Sequence, residues 1–113
     1  MTTSTVVATA YGSSGGFTPP VVTVALGSTV RFVNVDSFAH TSSSFAGASF
    51  PAGSPLGGGA LSVSGDRLST GWSSGSLAAG AASQPLLADV AGTYLYGCFF
   101  HYGAPMRAAI VVR

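Results

Sequence analysis

The chain has 113 residues, enough for one domain with a real core and too few for two. Charged residues make up 6%, with a net charge of +1 from Arg31, Arg67, Arg107 and Arg113 against Asp36, Asp66 and Asp89, so the surface cannot steer a polyanion and nucleic-acid binding is not expected. The 47% apolar content, rich in Val, Thr, Tyr and Phe, together with 16 Gly and 6 Pro, favours strands and turns over helices.

Thr5–Tyr11 has the β-branched content of a first strand, and Gly12–Pro20 breaks it with glycines and a proline pair. Val21–Leu26 resumes as a strand, and Gly27-Ser28 reads as a hairpin turn into Thr29–Val35, where Val30 and Phe32 share a face and Arg31 takes the other. Asp36–Ala39 interrupts the pattern. His40–Phe45 follows as a short strand with His40 at its loop end, on a rim. Ala46–Ala60 is dominated by Gly, Ala, Ser and Pro and reads as a surface excursion with the character of a connection.

Leu61–Trp72 is irregular or a weak strand, Ser73–Ala82 a turn region, and Ser83–Leu87 a strand again. After the turn-like Asp89–Gly92, Tyr94, Tyr96 and Cys98 fall at i, i+2 and i+4, so their side chains leave one face of a strand. Met106–Val112 closes the chain with Ala108, Ile110 and Val112 on one face. Seven or eight short strands separated by turns predict an all-β, Greek-key β-sandwich spanning 1–113 as a single domain.

Cys98-Phe99-Phe100-His101, with Met106 beyond it, places a thiol, an imidazole and a thioether in one stretch between two strands. His40 is the only other histidine. A metal cycling between Cu(I) and Cu(II) favours soft sulfur in one state and nitrogen in the other, and two His, one Cys and a weak axial Met serve both. Taken singly, a strand cysteine is commonly a small buried hydrophobe, a rim histidine is satisfied by backbone, and a methionine fills gaps. Taken together, His40, Cys98, His101 and Met106 form a complete ligand set for one copper ion.

The stretches Val30-Arg31-Phe32-Val33-Asn34, Ser37-Phe38-Ala39-His40 and Ala91–Met106 resemble the plastocyanin and pseudoazurin branch of the cupredoxins, the small blue copper proteins. Ser74-Gly75-Ser76-Leu77 and Gly80 are similar to the approach to that family's penultimate strands, whereas the middle loop is unmatched. The resemblance implies imidazole ligation by His40 and His101, thiolate ligation by Cys98 and axial thioether ligation by Met106 in a type 1 site. It implies a carrier of single electrons rather than an enzyme. Protein redox partners are expected to dock on an apolar patch near His101, with Phe38, Phe100, Tyr102, Ala104 and Pro105 as candidates. Many relatives with this loop length have proline where Phe100 stands, so a Phe100 N–H aimed at the Cys98 sulfur is expected to raise the potential. Thr41 stands where the family braces the copper loop, and its N–H is a second candidate donor to that sulfur.

Other chemistries fit less well. Two histidines are too few for a second kind of copper, one cysteine is too few for a dinuclear centre, and a structural zinc site does not choose Met. Cysteine catalysis lacks an accompanying oxyanion or substrate pattern. The alternative of another class is a module that stores, senses or delivers copper, although such proteins expose Met-rich or paired-Cys segments and this chain has 2 Met. A lone cysteine forbids an internal disulfide, and no apolar run is long enough to span a membrane. Copper redox chemistry places the expected compartment outside the cytosol, as an exported protein with its signal removed or as a domain of a longer anchored one. A monomer is expected.

Overall fold

Side chains alternate between buried and exposed along Thr29–Asn34, where Val30 and Phe32 are fully buried and Arg31 faces solvent. The structure, a computed structural model, describes residues 4–9, 17–18, 21–103 and 106–113. Ala10, Tyr11 and most of the Gly12–Pro20 break lie outside the described residues, as do Ala104 and Pro105. Among the described residues the strands are β1 (Ser4–Thr9), β2 (Phe17–Thr18), β3 (Val21–Val24), β4 (Thr29–Asn34), β5 (Ser43–Phe45), β6 (Val63–Ser64), β7 (Ser73–Ser74), β8 (Leu86–Leu87), β9 (Gly92–Gly97) and β10 (Arg107–Val112).

They form two sheets, one in the order β2-β1-β4-β8 and the other β3-β10-β9-β5-β7-β6. The all-β Greek-key sandwich read from the sequence is the fold the chain adopts, with a 3-10 turn at Gly58–Leu61. Phe17, Val30, Phe32 and Leu86 from the first sheet meet Val24, Tyr96, Cys98, Ala108, Ile110 and Val112 from the second in one core, completed by Leu68, Trp72, Leu77 and Met106. Burying each large apolar side chain such as Phe32 contributes about 1.5–3 kcal/mol. The rings interlock at its centre, with Tyr96 4.7 Å from Phe17, 5.1 Å from Phe32 and 5.9 Å from Trp72 between centroids. Its hydroxyl is buried without a hydrogen-bond partner among the described residues, and burial drives the phenol pKa far upward.

Two expectations are corrected. The turn at Gly27 is real, with φ at 89°, but it joins no hairpin. β3 runs parallel to β10 in one sheet, while β4 pairs with β1 and β8 in the other, so the turn crosses between layers. Local residue pattern marks a reversal, and the sheet each strand joins is decided by distant partners. His40, expected on a rim, is fully buried and forms an isolated bridge with Leu77 ahead of β5. The excursion from 46 to 60 is mostly exposed, as expected, with Ala60 buried.

Candidate metal centre

β4 ends in Asn34, which organises the segment leading to His40. Its side-chain amide donates to the Phe38 and Leu77 carbonyls at 2.8 Å each, and its Oδ1 accepts the Asp36 N–H at 2.9 Å. Leu77 in turn exchanges both backbone hydrogen bonds with His40, at 3.1 and 2.7 Å. The imidazole is thereby fixed inside the sandwich. Its Nε2 lies 2.8 Å from Asp36 Oδ2, and its Nδ1 faces Cys98 Sγ at 3.8 Å.

Cys98 follows β9 and is fully buried. Two backbone hydrogen bonds close the loop it opens, Cys98 N–H to Met106 O at 2.9 Å and Met106 N–H to His101 O at 3.0 Å. The loop returns the His101 imidazole toward the sulfur, with Nδ1 at 3.7 Å from Sγ. The two imidazole rings sit 5.0 Å apart at 64°. Donor atoms of His40, Cys98 and His101 all lie within 4.8 Å of one another. A buried thiol flanked by two imidazole nitrogens at these separations is a His₂Cys donor set, and its mix of soft sulfur and nitrogen fits copper. Met106 is buried beside it, tied to the loop through its backbone N–H and carbonyl.

Thr41 braces the loop twice. Its N–H approaches Cys98 Sγ at 3.5 Å and its hydroxyl oxygen accepts the Phe99 N–H at 2.8 Å. The expected Thr41 donor to sulfur is therefore present, and its hydroxyl contributes as well. Among the described residues, the contacts made to that sulfur come from Thr41, His40 and His101, and the expected Phe100 donor is not one of them. Behind Thr41, a buried run of hydroxyls continues through Ser43 at 3.1 Å and Ser73 at a further 2.8 Å to the Ala60 carbonyl at 2.6 Å.

Of the residues expected near His101 for docking, Phe38 and Phe100 are 59% and 46% exposed, whereas Tyr102 is 2% exposed and offers no surface; Ala104 and Pro105 lie outside the described residues. A Cβ on Gly97 would lie 2.8 Å from the Tyr102 ring, so the ring seats on the glycine backbone. The Tyr102 hydroxyl donates to Pro51 O at 2.6 Å, and the Arg107 guanidinium lies 5.0 Å from the ring. A tyrosine beside a ligand suggests a docking residue from the sequence alone; the glycine five positions earlier was the signal that a ring needs that space. Sequence reading also missed Asn34 and Asp36. The four-residue spacing from Asp36 to His40, after an Asn at a strand end, was the available sign. Burial lowers the pKa of His101, His40 lowers it further, and Asp36 acts in the opposite sense.

Residues 5–113 match the family described as copper binding proteins, plastocyanin/azurin family. No curated protein matches the chain. Among solved structures it is similar to a purple cupredoxin from Nitrosopumilus maritimus, with a TM-score of 0.65 and 20% identity over 96% of this chain and 99% of that one. It is also similar to dithionite-reduced auracyanin from the photosynthetic bacterium Roseiflexus castenholzii, at TM-score 0.66 and 22% identity over 99% and 98% of the two chains. A variant of amicyanin in the Cu(I) state matches at TM-score 0.65 and 22% identity, covering 97% of this chain and 82% of that one.

Proposed function

Because the chain belongs to the plastocyanin/azurin family of copper-binding proteins, we propose that it carries single electrons between protein partners at one type 1 copper ion and is not itself an enzyme. The observation that carries this reading is the convergence of His40 Nδ1 and His101 Nδ1 on the buried Cys98 sulfur at 3.8 and 3.7 Å. Met106 would supply a thioether as a weaker fourth ligand. When bound, copper supplies a one-electron Cu(II)/Cu(I) couple.

The chain's own residues supply rigidity and access. Leu77 and Asp36 hold His40 from behind, Thr41 holds the Cys98 loop, and the two Met106 backbone bonds hold its far end. Such a frame resists rearrangement between oxidation states. His101 is the less buried imidazole, and the exposed Phe100 ring, 6.2 Å from it, offers an apolar surface suited to brief contacts, with the exposed Phe38 as a second candidate. With few charges on the chain, docking there rests on apolar contact rather than steering. Copper redox work of this kind favours a site of action outside the cytosol, and the domain is proposed to act as a monomer. No helix among the described residues is long and apolar enough to cross a membrane.

The deciding experiment adds one equivalent of Cu(II) to metal-free protein and records visible absorption, paramagnetic resonance and voltammetry. An intense thiolate-to-copper band with narrow hyperfine splitting, absent in Cys98→Ser, and a reversible one-electron wave are expected. A colourless or tetragonal complex sinks the reading. A blue complex that sheds its metal on reduction makes it a copper-handling module instead.

A further inference from the structure

We infer that Asp36 is a positioning residue that fixes the tautomer of His40 and biases the copper site toward Cu(II), lowering its potential. The inference rests on the copper reading above. His40 is fully buried and the Asp36 side chain is 16% exposed, so their 2.8 Å contact is largely removed from water. A carboxylate only accepts, so the proton of the neutral imidazole sits on Nε2 and the Nδ1 lone pair faces the Cys98 sulfur, 3.8 Å away. The tautomer needed for ligation is thereby selected before any metal arrives.

The carboxylate is itself aimed. The Asp36 N–H donates to Asn34 Oδ1 at 2.9 Å, and Asp36 Oδ1 accepts the Ser37 N–H at 2.7 Å, which leaves Oδ2 directed at His40. Asn34 is anchored to Leu77 O, the same carbonyl that receives the His40 N–H. Strand end, carboxylate and ligand therefore form one closed unit.

Two effects of the charge act in the same direction. A thiolate and a carboxylate bring two negative charges to the ion, which sum to zero with Cu(II) and to minus one with Cu(I). Burial penalises the charged total. The hydrogen bond also raises the basicity of the imidazole, which strengthens its bond to the more electron-poor ion. A purely structural Asp36 would give neither effect once its shape and acceptor were preserved.

The test measures the potential of the copper-loaded full chain as wild type, Asp36→Asn, Asp36→Glu and Asp36→Ala, alongside nitrogen-15 imidazole spectra of the metal-free proteins. Outer partners of metal-bound histidines commonly shift affinity by about tenfold or more. Asp36→Asn is expected to favour Cu(I) by about tenfold, an upward shift of about 59 mV for one electron. Asp36→Glu, keeping the charge, stays near wild type. The His40 Nε2–H resonance is expected in wild type and lost from Asp36→Ala. A change below twofold in Asp36→Asn overturns the bias, and a wild-type His40 protonated at Nδ1 overturns the positioning. Should Asp36→Asn fail to fold, a potential in Asp36→Glu equal to that of Asp36→Ala overturns the bias in its place. A wild type with no blue complex refutes the copper reading and the bias with it, while the imidazole spectra still decide the tautomer.

Discussion

Thr41→Val tests how much of the metal loop's order comes from one hydroxyl. The substitution keeps the side-chain volume but removes the acceptor of the Phe99 N–H at 2.8 Å and the partner of Ser43 Oγ at 3.1 Å. Leaving a buried donor unsatisfied costs about 1–3 kcal/mol, and loss of an ordinary hydroxyl hydrogen bond a further ~0.5–1.5 kcal/mol. Ser43 keeps its contact with Ser73 at 2.8 Å, which holds the second figure low. The expected loss is about 3 kcal/mol. For 113 residues, an unfolding entropy of roughly 2.1 cal/mol/K per residue makes each kcal/mol worth about 4 °C, so Tm should fall by roughly 12 °C. The assay is thermal unfolding of the metal-free protein by far-ultraviolet circular dichroism, with Thr41→Ser, which keeps the hydroxyl, expected to recover most of the loss. The Thr41 N–H to sulfur is untouched by either change. A drop under ~4 °C in Thr41→Val refutes the brace.

Tyr96→Phe removes a buried hydroxyl that has no partner among the described residues, so it is expected to leave the protein as stable as wild type or up to about 2 kcal/mol more stable by urea titration. A loss above about 1 kcal/mol reveals a partner for that hydroxyl. The lowered pKa of His101 makes the metal-free protein acid-sensitive. Its unfolded chain takes up the proton near the ordinary value of about 6.5 and the folded one only at lower pH. The stability that this group contributes is therefore fully present above that range and declines as pH falls through it. Urea midpoints at pH 7.5 and 5.5 should decrease in that order, and a midpoint that rises on acidification contradicts the cause assigned.

What the sequence made legible was whatever depends on near neighbours. Tyr94 and Tyr96 do share the inward face of β9, which Cys98 continues just past its end, and Ala108, Ile110 and Val112 that of β10, because alternation is local to a strand. The spacing of Cys98, His101 and Met106 likewise describes one hairpin tip, which the structure closes with two backbone bonds. Pairings were not legible. The crossing at Gly27 depends on β3 meeting β10 and β4 meeting β1, across most of the chain. Ser73 and Ser74 sit in a stretch that reads as a turn region, yet the buried Ser73 hydroxyl meets the Ser43 hydroxyl across β5 and β7 and Ser74 Oγ accepts the Ser42 N–H. A hydroxyl's role depends on what lies opposite, and composition is silent on that.

The burial of the two imidazoles gives the proposed carrier an inside and an outside. On the inner side, His40 is sealed from water and backed by a carboxylate and a strand end, so its geometry is set before metal enters. On the outer side, the His101 loop is anchored by Tyr102, whose ring lies against Gly97 and whose hydroxyl reaches Pro51. That places the 46–60 excursion in contact with the ligand loop at Pro51, and at Ala60 through Ser73, Ser43 and Thr41. A substitution at Tyr102 is therefore a poor probe of docking, because it removes a loop anchor. Phe100, exposed and beside His101, is the better place to test the proposed docking with an introduced charge.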